Sequence, residues 1–128
     1  MTHPPLSRTL ALSLALAFSS PVALHAEPLS STWDLSPLYA TAVDWEHGRK
    51  ALLADLPKLA ALKGTLGKSA KNLRVGLDAL SAANLRFDRL RVYASMVHST
   101  DNRDAANQER SNLAGQLDGA FHSALAWV

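Results

Sequence analysis

Apolar residues recur along this chain at steps of three and four, the spacing that lines one face of an α-helix. A first series runs Trp45, Leu52, Leu53, Leu56, Leu59, Ala60 and Leu62. Thr41 with Asp44 three residues on resembles a capping box with Asp in place of Glu, so a first helix is expected from Thr41. Glu46 and Lys50 lie four apart in the favourable order for a surface ion pair. Pro57 falls inside the series and is expected to kink the helix near Leu53 or to split it in two. Gly64 is the expected C-cap. The second series is the clearest: Leu73, Leu77, Leu80, Phe87, Leu90, Ala94 and Val97, with the polar Asn84 filling its gap. With Ser69 as N-cap it predicts a helix from Ala70 to His98, roughly 40 Å long.

Thr100 to Asp104 is a turn rich in cap formers, and a third helix follows with Ala106, Leu113, Leu117, Phe121 and Leu125 on one face. So short a connection predicts an antiparallel hairpin of helices two and three. Gly115 and Gly119 are expected to permit a close helix contact. No strand pattern, internal repeat or low-complexity tract occurs, so the fold class is all-α: a helical hairpin within a three-helix segment, 41–128. Ala126-Trp127-Val128 ends the series with no Gly, cationic turn or polar tail, and helix carbonyls need partners. The expectation is a segment truncated at its C-terminus, the N-terminal part of a larger all-α protein.

Ahead of the helices the pattern changes twice. Thr9 to Phe18 is an apolar run rich in Leu and Ala after a short polar start carrying Arg8, and Ser19 to Ala26 follows with Pro21 and a small terminal residue. That is the layout of a secretory signal peptide over 1–26, cleaved between Ala26 and Glu27, although Leu24 stands where a small residue is preferred. Ten apolar residues fall short of the roughly 20 that span a bilayer. The mature chain is therefore expected to be exported, periplasmic or secreted, with no membrane attachment after cleavage. Residues 27–40 hold Pro28, Ser30, Ser31 and Pro37 and read as an extended N-terminal segment. The large side chains of Trp33, Leu35, Leu38 and Tyr39 imply that this segment is packed down on something.

Composition changes little of this picture. Apolar residues make up 48% and charged residues 19%, which is globular usage. The net charge is +2; without Arg8, 12 basic residues face 11 acidic ones, so nothing calls for nucleic acid as a partner. There is no cysteine, which removes disulfides, thiol nucleophiles and thiolate metal sites.

The search for chemistry finds no catalytic, cofactor-binding or metal residue to name. Of the mature histidines His47, His98 and His122, none has the H-E-x-x-H spacing that sets two imidazoles on one helix face. Lys63 to Ser69 (KGTLGKS) has two residues between its glycines where a phosphate loop needs four, and no strand precedes it. No G-x-S-x-G elbow appears. Arg86, Arg89 and Arg91 near Phe87 and Tyr93 read as a solvated helix face, because Arg91 points away from Arg86 and Asp88 interrupts them.

One constellation is more specific. Trp33-Asp34-Leu35-Ser36-Pro37-Leu38-Tyr39, then Trp45, then Leu56-Pro57-Lys58-Leu59-Ala60 and Lys63-Gly64 resembles the start of oligoendopeptidase F, a family of zinc metallopeptidases in the thimet oligopeptidase group. The family opens with W-D-L-x-x-L-Y and a helix ending near K-G. Leu90 to Thr100, with Tyr93-Ala94-Ser95 before the turn at Asp101, is similar to the close of its second helix. The resemblance implies a large all-α enzyme around a deep channel, in which zinc held by H-E-x-x-H and a downstream Glu hydrolyses short peptides. No residue here matches those ligands, so none is carried over. The implied partners are the remainder of the peptidase chain and, in the whole protein, short peptides. The alternative is a self-contained exported helical binding or interaction module without catalytic activity.

Overall fold

A computed structural model describes residues 33–128; the signal-peptide reading of 1–26, its cleavage bond and the first residues of the 27–40 segment lie outside these. The described chain folds as three helices, α1 (Ala42–Ala60), α2 (Ala70–Thr100) and α3 (Ala105–Leu125). A short 3-10 turn at Leu66–Lys68 lies between the first two. Among the described residues there is no strand, and no helix is long and apolar enough to cross a membrane.

Each helix starts where a side chain can satisfy its free N–H groups. The Thr41 hydroxyl accepts from the Asp44 amide at 3.1 Å and donates to the Asp44 carboxylate at 2.7 Å. Ser69 accepts from Asn72 N–H at 3.1 Å, and Asp104 from Asn107 N–H at 2.9 Å. Three short polar side chains thereby fix three boundaries.

Of the two outcomes expected of Pro57, a kink near Leu53 or a split, the split does not occur: α1 is one continuous helix. Pro57 sits in the last turn, where only the Leu53 carbonyl loses its donor, and the chain continues to Ala60 with Ala61 N–H bonding Pro57 O at 3.0 Å. Gly64 is not the C-cap, which is Ala61. It adopts φ +72 further on, third of the four residues in the turn closed by Thr65 N–H on Leu62 O at 2.9 Å. A positive φ at that position is what a type II turn requires of glycine.

The helices pack as an up-down-up bundle. Trp45 on α1 lies against Tyr93, whereas Asp55, further along α1, reaches back to Arg86, so α1 and α2 are antiparallel. Phe87 stacks on Phe121 at 4.3 Å, while Ser95 and His98 share a cleft with Ser111 and Ala114, so α2 and α3 are antiparallel as well. The predicted hairpin is present. The core gathers Trp45, Leu52, Leu56 and Leu59 with Leu80, Ala83, Phe87, Leu90, Tyr93 and Ala94, and with Ala114, Leu117 and Phe121. Leu52 and Leu90 are fully enclosed, each worth about 1.5–3 kcal/mol against exposure.

Four expectations about packing are corrected. Leu73 and Leu77 continue the α2 stripe in sequence but are exposed. Asn84 does not interrupt the buried stripe: Ala83 takes that place, and Asn84 is exposed and donates to Leu80 O at 3.1 Å. Ala106, expected on the buried face of α3, is exposed. Gly115 and Gly119 are exposed, with nothing within 4 Å of where a Cβ would stand. The close approaches occur instead at Gly76, where the Leu66 side chain occupies the Cβ position, and at Gly48, where a Cβ would stand 3.0 Å from the Tyr39 ring.

Candidate functional site

The residues ahead of α1 are held by the bundle rather than merely laid against it. Asp34 accepts from both the amide and the hydroxyl of Ser36, at 3.0 and 2.7 Å, which keeps its carboxyl below the usual range. Leu38 and Tyr39 N–H both bond Leu35 O, so this stretch turns rather than runs extended. Leu35, Leu38 and Tyr39 pack on the core as expected of them, whereas Trp33 stands 64% exposed.

Arg89 fastens this turn to α2. Its guanidinium donates to Pro37 O and Leu38 O at 2.9 and 2.8 Å and lies 5.9 Å from the Tyr39 ring centre. Burial raises the Tyr39 hydroxyl pKa, with Arg89 and Arg86 opposing that shift. Arg86 donates to Asp55 at 2.8 Å and ties α2 to α1. The three arginines are therefore not one solvated face: two join elements, and only Arg91, 3.7 Å from Asp88, pairs within its own helix.

Where α1, α2 and α3 meet, an aromatic and cationic cluster forms that the sequence did not announce. Trp45 is buried and its indole N–H donates to Leu90 O at 2.9 Å. Tyr93 stacks beside it at 6.5 Å, and Tyr39 meets Tyr93 edge-on at 5.6 Å. Arg110 of α3 lies 5.9 Å from the Trp45 ring and 6.0 Å from the Tyr93 ring. Its position is fixed by Asn107, which accepts from it at 3.0 Å. A shallow groove of about 260 Å³ opens beside it between Ala42, Glu46, Glu109 and Leu113. The Glu46 carboxylate is already engaged: Arg49 grips it with two bonds of 2.8 Å and Lys50 stands at 3.4 Å, so its pKa is held down to about 2. The groove thus offers the Trp45 ring, the Arg110 guanidinium and the carboxylates of Glu46 and Glu109, with no nucleophile set against a base.

The three histidines stay apart in role. His47 is exposed on α1, and His122 pairs with Asp118 one turn away at 3.5 Å. His98 lines the cleft of about 270 Å³ between α2 and α3, and its buried Nδ1 has no hydrogen-bond partner among the described residues. Among the described residues no three His, Asp or Glu side chains gather as a metal site. The donor set needed for zinc does not fit these residues. Lys63 to Ser69 is spent on structure: Gly64 turns the chain, Leu66 covers Gly76 and Ser69 caps α2.

Comparison with known proteins identifies relatives. The chain is 30% identical over 101 residues to the plasmid oligoendopeptidase F of Lactococcus lactis subsp. cremoris, which is 78% of this chain and 17% of that protein. It is 30% identical over 97 residues to an oligoendopeptidase F homolog of Lactococcus lactis subsp. lactis, covering 75% of the chain and 16% of the relative. The chromosomal oligoendopeptidase F of Lactococcus lactis subsp. cremoris matches at 29% over 101 residues, 78% of the chain and 17% of the relative. The chain thus spans about 17% of the length of these curated relatives. No family model and no solved structure matches it.

Proposed function

This chain is a relative of oligoendopeptidase F, and on that footing we propose that it is the N-terminal helical portion of an exported zinc metallo-oligopeptidase that hydrolyses short peptides. The observation that carries the reading is the identity of about 30% across some three quarters of the chain, set against the small share of each relative that it spans. In this reading the catalytic zinc and its ligands belong to a further part of the protein, and this segment supplies none of them. Its own work is architectural. A three-helix unit fastened by Arg86 and Arg89 forms part of the wall that admits short peptides and keeps folded proteins out.

Export rests on the apolar run Thr9–Phe18 and the small-residue end at Ala26. Digestion of peptides in the periplasm or outside follows from it. The test begins with the nucleotide sequence past the Val128 codon. An open frame with H-E-x-x-H some hundreds of residues on is expected, and its product should cleave short peptides until a chelator removes the zinc. A stop codon directly after Val128 would overturn the enzyme reading and leave the exported binding module. Mass spectrometry of the exported protein checks the leader, which predicts Glu27 as the first residue.

A further inference from the structure

Among the described residues, every arginine but one has a charged or carbonyl partner. Arg49 holds Glu46, Arg74 faces Asp78, Arg86 holds Asp55, Arg91 faces Asp88 and Arg103 faces Asp101. Arg89 donates to two backbone carbonyls. Arg110 is the exception. Its one bond among the described residues goes to the uncharged Asn107 side-chain oxygen at 3.0 Å. The guanidinium is nevertheless held in place, 5.9 and 6.0 Å from the buried rings of Trp45 and Tyr93. A guanidinium stacked by its face keeps its N–H edge for a planar acceptor, and a carboxylate meets that edge with two parallel bonds. The groove of about 260 Å³ between α1 and α3 is where such an acceptor can enter.

Two carboxylates line the same groove and decide which anion fits. Glu46 is spent on Arg49 and Lys50. Glu109 is exposed and in no ion pair among the described residues. A simple anion would meet Arg110 but be repelled by Glu109, whereas a ligand that also carries a cation satisfies both. At about 100° per residue the two side chains leave α3 in different directions, so the two charges of that ligand must stand apart. We propose that this groove binds a short peptide with free ends, its α-carboxylate on the Arg110 guanidinium and its ammonium toward Glu109. The ligand class follows from these charges; that such a peptide is one the whole protein handles rests on the peptidase reading above.

NMR of the 128-residue chain reads the groove through the indole N–H signal of Trp45, whose ring lies against Arg110. Alanylalanine should shift that signal saturably, with a Kd on the order of 1 mM. Alanylalanine amide, which lacks the carboxylate, should bind at least about tenfold more weakly. N-acetyl-alanylalanine, which lacks the ammonium, should bind about threefold more weakly. Glycine, whose charges sit too close together to reach both partners, should also bind more weakly than the dipeptide. Glu109→Gln, a change at an exposed position, should erase the difference between alanylalanine and its acetyl form. Arg110→Lys keeps the charge but loses the fork, and should weaken alanylalanine about tenfold at unchanged helicity by circular dichroism. No saturable shift by alanylalanine, or an equal shift by acetate, would overturn the site. Binding unchanged in a folded Arg110→Lys chain would do the same. An acetyl difference that persists in Glu109→Gln, or glycine binding as well as the dipeptide, would overturn the assignment to a peptide with free ends. None of these failures touches the longer peptidase, whereas a stop codon directly after Val128 removes that reading and leaves the binding itself unaffected.

Discussion

Trp45 joins contacts from α2 and α3, and it was legible in the sequence only as a position on a face. Its indole N–H bonds Leu90 O across 45 positions of sequence, while its ring meets Tyr93 and Arg110. Trp45→Phe keeps a ring but loses the hydrogen bond and some volume, so urea unfolding should show a loss of about 1–3 kcal/mol. Trp45→Ala should cost about 3–5 kcal/mol; equal losses for the two would show that a phenyl ring at this position contributes nothing and that the whole effect lies in the indole hydrogen bond and the lost volume. The glycines test packing in the opposite sense. A Cβ at Gly115 or Gly119 meets only open space, so alanine at either should stabilise by about 0.5–1 kcal/mol through helix propensity. A destabilised Gly115→Ala would restore the close contact that its spacing suggested. Spacing misled there because it records which residues share a face, not which face is covered. Gly76 could not have been picked out, since its neighbour Leu66 depends on the path of a loop.

At the scale of the helices, local chemistry decided most of what could be read. Thr41 and Ser69 cap the helices they were expected to cap, because a cap is made within three residues of sequence. The end of α2 lies two residues past its expected limit at His98, and α1 continues through Pro57, since a proline in a last turn removes only one bond. What was not local was not legible: Arg86 reaches Asp55 and Arg89 reaches Pro37 only once the bundle has formed. These ties give an acid dependence with a definite sign. Hydrogen bonds from Lys58 and then Arg86 hold the Asp55 pKa down to about 2, from an ordinary 3.8. The grip of Arg49 holds Glu46 down to about 2 from 4.5. A carboxylate depressed on folding stabilises fully above its unfolded pKa and loses that contribution as pH falls through the folded one. Stability should therefore be flat from neutral pH to about 4.5 and fall steeply toward pH 2. In Arg86→Gln the drop in urea midpoint across this window should be smaller than in the parent. An unchanged drop would mean that the Arg86–Asp55 pair forms without stabilising the fold.

For the whole molecule, the run from Trp33 to Tyr39 was legible as a family signature because it is contiguous. The cluster of Arg110, Trp45 and Tyr93 was hidden because it draws on three helices. The same distribution bears on how the chain behaves alone. Its core is one layer between three helices, and Trp33, Val43, Leu73, Val75, Leu77, Leu85 and Val92 remain exposed on the outside. A small domain that leaves this much apolar surface in water has little margin over the entropy of its chain. The 128-residue chain should be helical by circular dichroism yet melt broadly, below the roughly 45–65 °C usual for small domains. Added zinc acts on that melt only if the fold binds it, since a ligand stabilises by its affinity for the native state. With His47, His98 and His122 on three different helices and no gathered donor set among the described residues, zinc should move the midpoint by less than about 2 °C. The purified chain should also leave short peptides uncut. A zinc-dependent rise in melting temperature together with peptide cleavage would place a catalytic centre within this segment and remove the case for a wall.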